Sequence, residues 1–138
     1  CATVAEAVAG ADIVVTCTPS REPIVQLSEL EPHAVVIAMG ADGAGKRELG
    51  PGILEAATLY ADVARDALRV GEGEFLPEDQ AGRVTELGTV LAGGAAVAQV
   101  DGLVVFDSVG SSAVDAAVVG LLVGQPDSDR GELLYLND

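Results

Sequence analysis

The chain has 138 residues, of which 22 are acidic and 7 are basic, so its formal net charge is -15 at pH 7. That charge repels phosphate backbones and anionic lipids, which excludes a general nucleic-acid-binding surface and argues against docking on a membrane. Because 49% of the residues are apolar, the chain is too hydrophobic to be intrinsically disordered, and its length fits one domain or part of one.

The acid excess has two explanations, and both stay open at this point. One is adaptation to high salt, where screening weakens self-repulsion, and the other is an ordinary acidic cytoplasmic protein. The sequence contains no run of about 18 apolar residues, so no transmembrane helix is predicted. Cys1 and Cys17 form neither a C-x-x-C pair nor a zinc cluster. We therefore expect reduced cysteines in a cytoplasmic protein, with Cys17 as a small core residue.

Four apolar runs rich in β-branched residues predict the strands of a parallel sheet. The runs are continuous rather than alternating, which is typical of strands buried on both faces. They are residues 12–18, 34–39, 58–63 and 103–107.

Helix-like segments alternate with these strands. Their ends carry glycine or proline, which punctuate helices. They are residues 2–10, a segment starting at or after Pro51, and residues 64–70, 79–91 and 111–123. The alternation predicts an α/β, doubly wound parallel sheet. Residues 125–138 are predicted to form a tail or docking segment.

In doubly wound sheets, ligands bind beyond the carboxyl ends of the strands. The loops that follow the four predicted strands are all polar or rich in glycine. They are residues 18–21, residues 40–46, the segment from Asp62 onward, and residues 107–110. We therefore expect a ligand site at this edge of the sheet.

Residues 40–46 fit the G-x-x-x-x-G-K spacing of a phosphate-binding loop, and the strand ending in Asp107 resembles a Walker B strand. A P-loop needs Ser or Thr after the lysine to bind magnesium, whereas this chain has Arg47. It also needs a helix that continues from the lysine, and Pro51 interrupts that helix. A P-loop nucleoside triphosphatase is therefore the weaker of two interpretations.

The stronger interpretation comes from four stretches in order, ADIVVTCTPSREPIV, AMGADGAGKREL, ELGTVLAG and LVVFDSVGSSAVDAA. Over residues 5–120 they resemble the ornithine cyclodeaminase/mu-crystallin family, and the most specific pieces are GADxxGKxEL and FDSVG. The resemblance implies NAD(H) or NADP(H) as cofactor and hydride transfer at the α-carbon of an amino or imino acid. Ornithine cyclodeaminase, alanine dehydrogenase and ketimine reductase types are equally open. A non-catalytic mu-crystallin-like binding protein is the alternative.

The family pattern also includes an N-terminal substrate and dimerisation domain and a G-x-G-x-x-A fingerprint, neither of which has a counterpart in this sequence. The resemblance therefore implies that residues 1–124 are part of an NAD(P)-binding Rossmann domain in a longer parent protein. That parent is expected to be a homodimer that also supplies the groups binding the substrate carboxylate. We expect the 138-residue chain alone to expose a sheet edge and to be inactive.

Asp42 is the predicted catalytic and substrate-binding residue. The resemblance places it beside the nicotinamide and the substrate nitrogen, where a carboxylate can move a proton or stabilise an iminium cation. The alternative is a turn aspartate that caps its own loop. Gly40 and Ala41 are small enough to let the cofactor approach the backbone, and Met39 lies in the same nicotinamide-side segment.

The resemblance also places Thr18, Lys46 and Ser108 on the cofactor and Val109 against the substrate. The alternative for Thr18 is a strand-end hydroxyl bonded to backbone, and for Lys46 it is a solvated loop lysine. For Ser108 the alternative is a cap on the following helix, and both roles can coexist. The remaining acidic residues, Glu72 among them, are predicted to be solvated surface. No metal site is predicted.

Overall fold

A computed structural model describes residues 1–93 and 101–123 of the chain. Within these ranges, five strands form one sheet in which every pairing is parallel. They are β1 (Ile13–Thr16), β2 (Val35–Ala38), β3 (Thr58–Ala61), β4 (Thr85–Glu86) and β5 (Val104–Asp107). Their spatial order is β1-β2-β5-β3-β4. The predicted α/β, Rossmann-type parallel sheet is confirmed.

The described residues also form five α-helices, of which α1 precedes the first strand and α5 follows the last. They are α1 (Val4–Val8), α2 (Ile53–Ala56), α3 (Ala64–Val70), α4 (Leu87–Leu91) and α5 (Ser112–Val123). The Thr3 hydroxyl caps α1 by accepting the Glu6 backbone N–H at 3.2 Å. Helix α3 has its predicted bounds, and α2 begins after Pro51 as predicted. Among the described residues, no helix is both long and apolar enough to cross a membrane.

The predicted single helix over residues 79–91 is wrong. The chain there forms a 3-10 segment (Glu78–Arg83), then β4, then α4. Strand β4 pairs with the end of β3, and the Arg83 guanidinium donates to the carbonyls of Glu55 and Ala57 at 3.2 and 2.8 Å. These long-range bonds hold residues 84–86 extended between the two helical stretches, so tertiary contacts override a local helical preference there.

The core lies on one face of the sheet. Val14, Val36 and Val105 point inward from three adjacent strands and pack in one cluster with Leu49 and Ile53. On the opposite face, the β1 residues are exposed and those of β2 and β5 are partly exposed within the described part of the chain.

The prediction that every strand is buried on both faces is therefore wrong for β1, where Ile13 and Val15 are 64% and 61% exposed. Cys17, predicted to be a core residue, is exposed, and both cysteines are free thiols. The apolar side chains of α5 are also exposed. The predicted tail over residues 125–138 lies outside the described residues.

Candidate functional site

The loops after β1, β2, β3 and β5 meet at the carboxyl edge of the sheet. The strand register pairs Ala38 of β2 with Thr16 of β1 on one side and with Asp107 of β5 on the other. These three strands therefore end at the same position along the sheet. The backbone N–H of Met39 donates to Thr16, and that of Ser108 donates to Ala38, each at 2.9 Å. The topology thus brings the sequence-predicted site segments to one edge, because β5 lies between β2 and β3.

Gly40 is buried at the point where the loops after β1 and β2 touch. A Cβ atom at this position would overlap the Thr18 carbonyl oxygen and would lie 2.5 Å from the Glu48 carboxylate. Ala41 is also buried, whereas Met39 is 41% exposed. The glycine is therefore required by the packing of the protein on itself, in addition to any approach of a cofactor.

Asp42 and Lys46 form an ion pair within this loop. The hydrogen bond and the positive charge of Lys46 hold the pKa of the Asp42 carboxyl below its usual range. Because 54% of the Asp42 side chain is exposed, its charge remains available to a bound molecule. An ionised carboxylate of this kind can accept a proton or stabilise a neighbouring cation.

The glycine-rich loop does not have P-loop geometry. After Lys46 the chain runs extended, with the Arg47 N–H donating to the Ser20 carbonyl at 3.0 Å and a parallel bridge between Val25 and Leu49. The next helix begins only at Ile53. The N-terminal amides of a helix therefore do not follow the lysine, and the nucleoside triphosphatase interpretation loses its structural basis.

Glu48, for which the sequence analysis predicts no role, is completely buried beneath the edge. Its carboxylate accepts the backbone N–H of Thr18 at 2.6 Å and that of Gly40 at 2.9 Å. One side chain therefore joins the ends of β1 and β2. The only sequence signal was its place in the motif GADxxGKxEL.

Glu72 was predicted to be solvated surface, and that prediction is wrong. The residue is completely buried, and its carboxylate accepts the backbone N–H of Glu48 at 2.6 Å and that of Leu49 at 3.3 Å. Burial raises the pKa of Glu72 to about 7, and the nearby charges of Asp107 and Glu48 add to the increase. Its setting between Gly71 and Gly73 was the available signal, because glycines permit close packing around a side chain.

Asp107 and Asp62 organise the loop after β5. Asp107 is buried and accepts the Gly73 backbone N–H at 2.8 Å, and burial raises its pKa to about 6. The Ser108 hydroxyl donates to Asp62 at 2.9 Å, and the Gly110 N–H donates to the same carboxylate oxygen at 3.1 Å. Ser108 therefore orders its loop here.

Ser108 does not cap the helix that follows. Helix α5 starts at Ser112, and the Ser111 hydroxyl accepts the Ala113 N–H at 3.3 Å. Val109, the predicted substrate contact, is partly exposed at the same edge. Despite the number of carboxylates, the described part of the chain has no group of three or more His, Cys, Asp or Glu residues arranged to hold a metal ion.

The raised pKa of Glu72 predicts that stability falls as pH rises. The folded-state pKa is about 7 against 4.5 for the free group, so the folded chain binds this proton more tightly than the unfolded chain. The stabilising contribution is complete below 4.5 and is lost as pH rises to about 7. The loss is on the order of 3 kcal/mol, and the raised pKa of Asp107 acts in the same direction.

Urea unfolding at about pH 5 and about pH 8 measures this loss. Glu72→Gln should remove most of the difference, because the uncharged amide has no proton to lose, and should leave the smaller part that Asp107 contributes. Glu78→Gln, at an exposed position, should leave it intact. A wild-type protein that gains stability over this pH range contradicts the prediction.

A parallel sheet whose loops converge at its carboxyl edge defines an α/β domain with its ligand site at that edge, an arrangement that dinucleotide-binding domains share. The model of the ornithine cyclodeaminase/mu-crystallin family matches residues 1–125, and the chain belongs to this family.

Individual relatives agree with this assignment. The chain is 35% identical over 122 residues to the mouse ketimine reductase mu-crystallin, covering 88% of this chain and 38% of the mouse protein. The structure of an archaeal alanine dehydrogenase dimer with bound NAD superposes with a TM-score of 0.78 at 31% identity, over 94% of this chain and 42% of that one. The structure of the iminosuccinate reductase of Paracoccus denitrificans in complex with NAD+ superposes with a TM-score of 0.74 at 29% identity. This match covers 85% of this chain and 38% of the reductase chain. The chain thus spans less than half the length of these relatives.

Proposed function

We propose that this chain forms the nicotinamide-side part of the NAD(P)-binding domain of an amino-acid or imino-acid oxidoreductase, within a longer polypeptide. Family membership and the NAD in two similar structures support the cofactor. The observation that carries the proposal is the exposed Asp42 carboxylate, paired with Lys46, beside the buried Gly40 at the carboxyl edge of the sheet.

The chemistry of this edge fits the nicotinamide end of the cofactor. The oxidised nicotinamide ring is cationic, and Asp42 offers it an exposed negative charge next to the partly apolar surface of Met39. A pyrophosphate fits less well, because Asp62 and Asp42 carry negative charge at the same edge. Thr18 follows β1 and Val109 follows β5, the strands on either side of β2. Bound NAD(H) would supply the hydride acceptor or donor.

In this proposal, Asp42 faces the substrate nitrogen. Its ionised carboxylate accepts a proton from an amine or stabilises the iminium formed when hydride leaves the α-carbon. Lys46 keeps Asp42 ionised through the ion pair. A cofactor contact by the Ser108 hydroxyl would replace its present bond to Asp62.

The groups that bind the substrate carboxylate are proposed to lie in the rest of the polypeptide. A ketimine, iminosuccinate and alanine are the substrates to test first, because they correspond to the names of the similar proteins. The dimer in the archaeal structure supports a homodimer as the functional unit. A cytoplasmic location completes the proposal, and the free thiols of Cys1 and Cys17 are compatible with it.

We expect the full-length protein to bind NADH with a Kd between about 1 μM and about 1 mM, the range of typical KM values. The 138-residue chain alone should bind it at least about tenfold more weakly, because its described carboxyl edge offers a nicotinamide surface without a phosphate-binding turn. Fluorescence titration of NADH against both chains measures the difference. If the 138-residue chain binds NADH as tightly as the full-length protein, the proposal that the phosphate-binding turn lies in the rest of the polypeptide is contradicted.

NADH oxidation with the imino-acid candidates then tests the chemistry. Turnover with any of them supports an oxidoreductase. NADH binding without turnover on any amino or imino acid would instead support a mu-crystallin-like binding protein.

A further inference from the structure

The buried Glu48 carboxylate connects the two loops that the proposed function places beside the cofactor. Its two oxygens accept one N–H each, from Thr18 after β1 and from Gly40 after β2. At 2.6 and 2.9 Å these are charge-assisted hydrogen bonds, which are stronger than neutral ones. No ion pair of Glu48 occurs among the described residues, so backbone amides carry the stabilisation of this charge.

A carboxylate suits this position better than other side chains. It is an acceptor at both oxygens, whereas a glutamine amide would present its NH2 group to one of the two N–H donors. Burying a charge is costly unless it is well bonded, so the arrangement tolerates little movement of either loop.

Glu48 is itself held in place from below. The Glu72 carboxylate accepts the N–H groups of Glu48 and Leu49, and it sits in a 3-10 segment (Glu72–Phe75) that directly follows α3. The contacts therefore run from α3 through Glu72 and Glu48 to the loops that follow β1 and β2.

The backbone of Gly40 links Glu48 to Asp42. Gly40 receives the Glu48 oxygen at its N–H, while its own carbonyl accepts the Asp42 N–H at 3.1 Å. A change in the orientation of Gly40 would therefore move Asp42 directly. Displacements of about 1 Å can cost about 100-fold in rate.

We propose that Glu48 is a positioning residue, which fixes Gly40 and through it Asp42 against the cofactor, with Glu72 as its support. This inference rests on the proposed function for its catalytic consequence. The hydrogen bonds themselves can be tested independently of activity.

The kinetic test compares Glu48→Gln with Glu55→Gln in the full-length protein, since Glu55 is an exposed glutamate remote from the edge. Glu48→Gln should lower kcat about 10- to 100-fold and change the KM for NADH less than about threefold. The deuterium isotope effect with 4-deuterated NADH should rise, because hydride transfer becomes more rate-limiting. Glu55→Gln should match the wild type in all three. A folded Glu48→Gln protein with kcat within twofold of wild type overturns the proposal.

Amide hydrogen exchange is a second test, which measures the two hydrogen bonds to Glu48 directly. In the wild type, the N–H groups of Thr18 and Gly40 should exchange slowly, and in Glu48→Gln at least one of them should exchange at least about tenfold faster. Rapid exchange of both in the folded wild type overturns the proposal even if the variant does not fold. A wild type without any NAD(H)-dependent turnover, but with both amides protected, would refute the proposed function and leave the Glu48 bonds established.

Discussion

Replacement of Asp42 by Asn in the full-length protein is expected to lower kcat about 10²- to 10⁴-fold, the range typical of general acid–base catalysis. Asparagine keeps the shape of the side chain but can neither take a proton nor offset a cationic iminium. The Kd of NADH should change less than about threefold, because most of the dinucleotide binds elsewhere. Steady-state kinetics with the best imino-acid substrate and NADH fluorescence titration measure the two effects.

The control for this experiment is Asp101→Asn. Asp101 is exposed and lies two residues before Leu103, which precedes β5, at the opposite edge of the sheet from the candidate site. The same chemical change should there leave kcat within about twofold, since surface substitutions away from special features have little effect. If Asp42→Asn turns over at the wild-type rate, Asp42 is a structural loop residue and another group handles the proton.

The sheet and its functional edge follow from local sequence patterns. Runs of β-branched residues predict β1, β2, β3 and β5, and the parallel arrangement places their following loops together. Helix α3 was predicted at its exact bounds because its pattern is regular and Gly71 ends it. Strand runs and helix ends of this kind are determined by residues close together in the sequence.

What could not be predicted depends on contacts between distant segments. Strand β4 has two residues and exists only because β3 pairs with it. Glu72 looks like any surface glutamate, and its burial follows from the N–H groups of Glu48 and Leu49, more than twenty residues earlier in the chain. The exposure of Cys17 likewise follows from β1 being the edge strand, which the order of the strands decides.

Gly40→Ala is expected to be the most destabilising single substitution at the candidate site. The added methyl group would overlap the carbonyl oxygen of Thr18, a backbone atom that cannot rotate away, and would press against Glu48. Overpacking alone costs about 1–3 kcal/mol. Displacing the carboxylate would also leave two N–H groups unsatisfied, that of the buried Gly40 and that of the half-buried Thr18, at up to about 1–3 kcal/mol each. Together these effects cost between about 3 and about 9 kcal/mol, a large part of the stability of most domains.

Gly43→Ala is the matched control, because it lies in the same loop and a Cβ atom there meets nothing within 4 Å. Its free energy of unfolding should stay within about 0.5 kcal/mol of wild type. Urea unfolding of the cofactor-free full-length protein separates two reasons for the glycine at position 40. If the glycine served only the approach of a cofactor, Gly40→Ala would be stable without NAD(H) and defective only in binding it. Because the structure shows the clash within the protein itself, we expect the loss of stability to appear before any cofactor is added.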